Sequence, residues 1–504
     1  MNRSKRAAIN TVSAVLNMIL KIIIPFVLRT LMIYQLGEKF TGLGGLFTSL
    51  LTVLNLAELG FGNAVVFFMY KPMGEHLYED VSKLLKFIRK AFLYVGVFIS
   101  AVGLIICPFV DRFINGTLPQ DINIYALYLL YLLNTVASYF FGGYNRTVLQ
   151  AGQRNDIVSN IDSFIYIGTS IIQILVLWLI PNYYLYVIWL PIGAIMTNLI
   201  ISKYARRNFP YVIPNGDIEE NKLSEIVNKV KSLFLLRIGN IVFTSTDNIV
   251  ISAFLGLECV TYYGNYYRIM DAVFALTYST FGAITPVIAN KINQCSKRES
   301  LFFFETIQFW VCIVSGIFFS AFDLLAQPFM EIWMGQQRML DDTTVFLLGT
   351  LFYILQVRRA VVVMYDAQGL WDKSPWAQLV CGILNLSMSI FLVQHIGING
   401  IIFGTIISII TVSFPWELYV VFNKYFDCGI RAFIIQNSKY LVATLVNTYI
   451  CWFLIRMIAL TGFIGIIANA FITVLICAVI SYLLWKKTEY YKYGLVLIKN
   501  IKKK

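Results

Sequence analysis

Between residues 10 and 485 the chain is a succession of apolar runs, most near the roughly 20 residues that cross a bilayer as a helix. No other feature constrains the fold as strongly. Only 13% of the 504 residues are charged and 58% are hydrophobic, whereas a soluble domain is about 25% charged. With a mean hydropathy of +0.72, the chain has too little polar surface to coat a water-soluble body. A transmembrane β-barrel would show short alternating segments instead. The fold class is therefore all-α, a polytopic membrane protein.

The runs divide into fourteen expected spans: 10–34, 41–70, 91–110, 122–142, 159–180, 185–202, 235–255, 261–289, 305–330, 344–364, 377–394, 400–422, 438–455 and 462–485. The least defined break is the turn at 181–184. The basic start MNRSKRAAIN leads into an apolar stretch with no small-residue cleavage site, so it reads as a retained first span rather than a signal peptide. Lys and Arg collect in cytoplasmic loops. With the N-terminus inside, inner loops and tails hold 29 of the 40 Lys+Arg, and outer loops hold four: Lys39, Arg112, Arg338 and Arg456. An even span count then puts both termini in the cytoplasm. The +13 net charge is mainly this topological excess. It favours anionic headgroups over nucleic acid.

The eight cysteines are scattered and read as small hydrophobes, with no spacing for a disulfide framework or a zinc site. His76 and His395 stand alone at loops. Asn115 heads an NGT sequon. GLGGLF (42–47) suits close helix packing better than phosphate binding. No GxxxxGK[ST] is present, and DIEE at 217–220 is a solvated acidic patch. No enzyme motif appears, and neither a metal nor an organic cofactor is expected.

Residues 203–234 carry Pro210, Pro214, Gly216 and a charged stretch, and read as a cytoplasmic linker. It separates an N-terminal lobe (1–202) from a C-terminal lobe (235–423); residues 424–504 add two spans and a basic tail. The lobes resemble each other. A shift of 219 aligns Leu36-Gly37 with Leu255-Gly256 and Gly45 with Gly264, and LQAGQRND (149–156) resembles YDAQGLWD (365–372) at a shift of about 216. Two six-span halves of equal orientation are parallel repeats, whose binding sites lie between halves near the midplane.

Polar residues inside the spans are the candidate site. Span one carries Asn10, Ser13, Asn17, Lys21, Pro25 and Arg29 on one helical stripe. Span seven carries Arg237, Asn240, Thr244, Asp247 and Asn248, and the shift superposes the two stripes. Span two adds Glu58, span eight Arg268 and Asp271, and span ten Arg358 and Arg359. A charge at mid-span costs about 2.5–3.5 kcal/mol on insertion scales, so such residues face a partner or a wet cavity. Each also has a structural reading. Arg268 and Asp271, three apart, neutralise each other. Arg29 snorkels outward. Arg358 or Arg359 reaches inner headgroups. Glu58 is protonated or bonded at a helix contact. Lys21 and Asp247 form an ion pair.

The strings LFTSLLTVLNLAELGFGNAVVFFMYKPM (46–73), STDNIVISAFLGLECVTYYGNY (245–266) and GLWDKSPWAQLVCGILNLSMSIFLVQHIGINGIIFGTIIS (369–408) resemble polysaccharide-biosynthesis flippases. These move capsule or O-antigen repeat units and belong to the multidrug/oligosaccharidyl-lipid/polysaccharide (MOP) exporter superfamily. The resemblance covers nearly the whole chain. It implies a two-lobed, fourteen-helix transporter in the bacterial cytoplasmic membrane. Such a transporter flips an undecaprenyl-pyrophosphate-linked oligosaccharide between leaflets by alternating access, in company with membrane lipids and a polysaccharide polymerase. Members carry basic residues in a central cavity. Lys21, Arg29, Arg268, Arg358 and Arg359 match that character, and Glu58, Asp247 and Asp271 are candidates for coupling to H+ or Na+. A lipid II flippase, a multidrug exporter of the same superfamily, and a membrane polymerase or glycosyltransferase are the competing readings. The short outer loops and missing acidic motifs count against the last.

Overall fold

A computed structural model describes residues 20–55, 61–119, 122–220, 223–227, 245–368, 375–458 and 460–501. Among these residues there are helices and no strands. Among the described residues nine helices are long and apolar enough to cross a membrane, or ten when the pair Ile124–Phe140 and Gly143–Ala151, bent by 50°, is taken as one span. Each of the fourteen expected spans is helical across the core of its described part. The protein is thus a multi-pass membrane protein, as its composition requires. Large apolar side chains stand open on the outside, Phe164 at 77% exposure and Ile464 at 82%. In water such exposure would be a liability; in hydrocarbon it is the normal outer surface.

The segment after the second span differs from its expected form. The pattern of 71–90 (KPMGEHLYEDVSKLLKFIRK) is that of an amphipathic surface helix ahead of a span at 91–110, but Tyr78–Ile106 is one continuous helix. The amphipathic turns bury Val81, Leu84, Leu85 and Ile88 and run straight into the span. The linker then lies on these turns. The Ile213 amide donates to the Ser82 hydroxyl at 3.2 Å, Lys86 pairs with Asp217 at 3.0 Å, and Tyr211 stacks on Tyr78.

The chain divides into two compact units, 1–261 and 262–504. The sequence division places residues from 235 onward in the second lobe, yet by packing residues 245–261 go with the first unit. A repeat boundary records where one half of the sequence ends; a packing boundary records which neighbours a segment touches. Leu257, and beside it Ile249, sit in the same apolar core as Leu43, Phe47 and Tyr128.

The glycines of GLGGLF explain how these helices come so close. A Cβ on Gly42 would collide with the Leu257 carbonyl oxygen, one on Gly44 would lie 2.9 Å from the Tyr131 hydroxyl, and one on Gly45 3.1 Å from Val260. The shift of 219 also has a backbone counterpart. Gly37 and Gly256 have φ of 103° and 92°. Each ends one helix and starts the next, a left-handed step that glycine takes without steric cost.

In the second unit Lys297–Met334 is the central helix. Ser296 starts it with a capping box: the Ser296 hydroxyl accepts from the Glu299 amide while the Glu299 carboxylate accepts from the Ser296 amide. Asp342–Ala367, Arg431–Ile458, Gly462–Trp485 and the closing helix Glu489–Ile501 pack around it. Pro375–Ile396 and Ile398–Phe426 form an antiparallel pair beside them.

Candidate substrate and ion sites

The candidate charged residues divide between the two units. In the first, helix 20–35 is continuous through Pro25 and turns Ile24 and Leu28 inward. Lys21 is exposed and has no ion pair among the described residues. Arg29 does not snorkel. It is half-buried, and its Nη2 donates to the carbonyl oxygen of Thr261 at 2.9 Å. Thr261 in turn donates its hydroxyl to the Glu38 carbonyl at 2.7 Å.

Asp247 is half-buried on helix 245–255, between buried Thr246 and half-buried Asn248. Asn248 donates to the Ser49 hydroxyl at 3.0 Å, which fixes the face of this helix turned toward Glu38–Leu54. Glu58 lies outside the described residues, as do Arg237, Asn240 and Thr244.

The far end of helix 245–255 is held by a residue read in the sequence only as a sequon. The Asn115 amide donates to the Ser252 carbonyl at 2.9 Å, and its side-chain amide donates to the Phe254 carbonyl at 2.7 Å. Lys39 adds a bond to the Thr117 hydroxyl at 2.6 Å and a longer contact to Glu258 at 3.8 Å. Gly256 fits beneath Asn115, where a Cβ would lie 2.9 Å from the Asn115 carbonyl oxygen. Arg29, Thr261, Asn115 and Asn248 therefore make one latch, built largely on backbone carbonyls that local sequence patterns cannot reveal.

In the second unit Arg268 and Asp271 stand one turn apart on Leu257–Gln294. Their closest approach is 3.9 Å, with side chains 39% and 47% exposed. The pair is loose and leaves both heads open to a further partner.

Arg358 is held differently. Its Nε and Nη2 donate to the two carboxylate oxygens of Glu417 at 2.8 and 2.6 Å, and Gln378 donates to the same carboxylate at 3.0 Å. The Arg358 and Glu417 side chains are 16% and 6% exposed, amid buried Val361, Leu418 and Val420. Arg358 thus turns into the unit rather than out to headgroups, while its neighbour Arg359 is half-buried. Glu417 sits two residues after Pro415, in a helix that widens to i→i+5 turns at Ile409–Ser413 and Val420–Phe426. Such turns concentrate at functional positions. The sequence reading missed Glu417; a carboxylate inside the 400–422 span, next to a proline, was the available signal.

The first unit has a comparable pair. Arg146 clasps Asp162 with two bonds of 2.9 and 2.8 Å, and the shift of 216 superposes Asp162 on Gln378. No group of three or more His, Cys, Asp or Glu among the described residues is arranged to hold a metal ion.

By sequence, no protein-family model and no curated protein matches the chain. By structure, it is similar to the lipid II flippase MurJ in an inward closed conformation. The TM-score is 0.67 at 14% identity, covering 94% of this chain and 98% of that one. It is also similar to an inward-facing multidrug resistance MATE family transporter of the MOP superfamily, with TM-score 0.56, 14% identity, and coverage of 78% and 92%. A MATE in a bent conformation gives 0.52 at 12% identity, covering 85% and 95%. The chain thus shares the fold of this lipid II flippase and this multidrug transporter.

Proposed function

We propose that the chain is a flippase for an anionic lipid-linked oligosaccharide, serving capsule or O-antigen-type polysaccharide synthesis. The observation that carries this reading is the extent of the fold match. The lipid II flippase matches over 94% of the chain, and the two MATE transporters over 78% and 85%. The substrate would be undecaprenyl-pyrophosphate-linked, with its polyprenyl tail left in lipid. Lys21, Arg29, Arg268 and Arg359 would meet the pyrophosphate and any acidic sugar, and Arg358 would join them when released from Glu417. A guanidinium fork fits phosphate and carboxylate alike. Glu58, Asp247 and Asp271 are the carboxylates for coupling to H+ or Na+. The Arg29–Thr261 and Asn115–Ser252 bonds, on the outer side by the charge topology, would make and break during alternating access. The setting is the bacterial cytoplasmic membrane, both termini inside, next to a polysaccharide polymerase.

The test is depletion of the protein in its host, followed by extraction of lipid-linked oligosaccharides and assignment of their leaflet. Finished units should accumulate on the cytoplasmic side while surface polymer disappears. Finished units that still reach the outer leaflet would overturn the reading. A second reading, flipping of lipid II itself, is favoured by the MurJ likeness. Rescue of a strain lacking its own lipid II flippase would establish it in place of the first.

A further inference from the structure

The last two spans carry a pair of thiols that no transport step uses. Arg431–Ile458 and Gly462–Trp485 form an antiparallel hairpin in the second unit. Cys451 and Cys477 meet across its seam, Sγ to Sγ at 3.7 Å. Their meeting follows from the register of the hairpin. Tyr440 packs edge-on against Trp485, the Cys451 sulfur lies 4.0 Å from the Thr473 carbonyl, and Asn469 donates to the Leu460 carbonyl. In each case the two residue numbers add to nearly the same total, as antiparallel helices with equal rise require. The hairpin is also held from behind. Thr448, one turn before Cys451, shares a 2.7 Å bond with Ser320 of Lys297–Met334, and Gly316 of that helix leaves room for Thr444.

The seam is closed to water. Cys451 and Cys477 are 0% and 1% exposed, while their neighbours Trp452, Phe453, Val474 and Leu475 are exposed on the apolar outside. A reagent reaching the thiols must come through lipid. We propose that Cys451 and Cys477 are a modification site, a dithiol that a lipid-soluble quinone closes to a disulfide, stapling the two C-terminal spans. Both S–H bonds break and one Sγ–Sγ bond forms. The two electrons and two protons pass to the quinone, which becomes a quinol. A disulfide needs its sulfurs about 2.05 Å apart, so closure draws them together from 3.7 Å. The inference is independent of which substrate is carried.

The experiment uses the full chain in lipid nanodiscs, treated with a fully substituted quinone or with ferricyanide, which stays in water. After denaturation, the alkylatable thiols should fall from eight to six with the quinone. Tryptic fragments 440–456 and 457–486 should appear joined, two hydrogens lighter, and separate on reduction. Ferricyanide should act at least tenfold more slowly. In Cys451→Ser or Cys477→Ser the seven remaining thiols should all stay alkylatable. Eight thiols after quinone treatment, or the same loss of two in either variant, would overturn the proposal. Equal rates with the two oxidants would overturn the lipid-phase route.

Discussion

Arg358 and Glu417 face each other from two helices 59 residues apart in sequence, joined by two hydrogen bonds and nearly shut off from solvent. A buried pair of this kind adds little net stability, because desolvation offsets the attraction, but losing one partner strands the other charge. Arg358→Ala should therefore cost about 3–5 kcal/mol, read as a lowered Tm in detergent. The double change Arg358→Met with Glu417→Met should recover most of it. If the single variant melts with wild type, the pair is not closed in solution.

The close approach of Glu38–Leu54 to the start of Leu257–Gln294 rests on Gly42, whose added methyl would strike the Leu257 carbonyl. Overpacking of this sort costs about 1–3 kcal/mol. Gly42→Ala should lower Tm and reduce transport, whereas Gly62→Ala, with nothing within 4 Å, should do neither. Equal behaviour of the two variants would mean that the contact opens freely.

These contacts show what was legible in the sequence. Span-length apolar runs dictated the helices because hydrocarbon admits only helices and closed barrels, and a barrel would need short alternating segments. The glycine pair Gly37 and Gly256 could be matched because a left-handed step selects glycine wherever it recurs. The partners were not legible. Arg29 meets a backbone carbonyl 232 residues away, and any residue at Thr261 would present the same oxygen. Arg268 and Asp271 were found together because they are one helical turn apart. Glu417 escaped because its partner lies on another helix, and sequence periodicity reports only the neighbours on its own.

Acid should test one helix start. Asp341 accepts from the Thr344 amide at 3.0 Å and from the Thr344 hydroxyl, capping Asp342–Ala367. Burial raises its pKa, but the Thr344 hydrogen bonds outweigh this and hold it below the ordinary 3.8. A carboxylate with a depressed folded pKa stabilises above its unfolded value and loses that contribution as pH falls through the folded one. Tm should therefore decline below about pH 4, and Asp341→Asn should flatten that part of the decline. A cap of this type is worth about 1 kcal/mol. An unchanged acid limb in the variant would assign the decline to other carboxylates.

Substitutions at Lys21 and Asp247 test substrate binding and coupling separately. Lys21 is exposed on its helix while Asp247 is half-buried and flanked by residues bonded within the first unit. If Lys21 meets the substrate anion, Lys21→Ala should abolish surface polysaccharide at normal protein levels, and Lys21→Arg should restore part of it, since the charge is kept. Wild-type polysaccharide in Lys21→Ala removes the assignment. If Asp247 couples transport to an ion, Asp247→Asn should bind substrate normally yet lose its response to the ion gradient. That follows because neutralising a carboxylate removes the charge on which H+ or Na+ acts while leaving the cations that hold the pyrophosphate. A gradient response equal to wild type would transfer the coupling role to Asp271 or Glu58, for which the same substitution and assay decide.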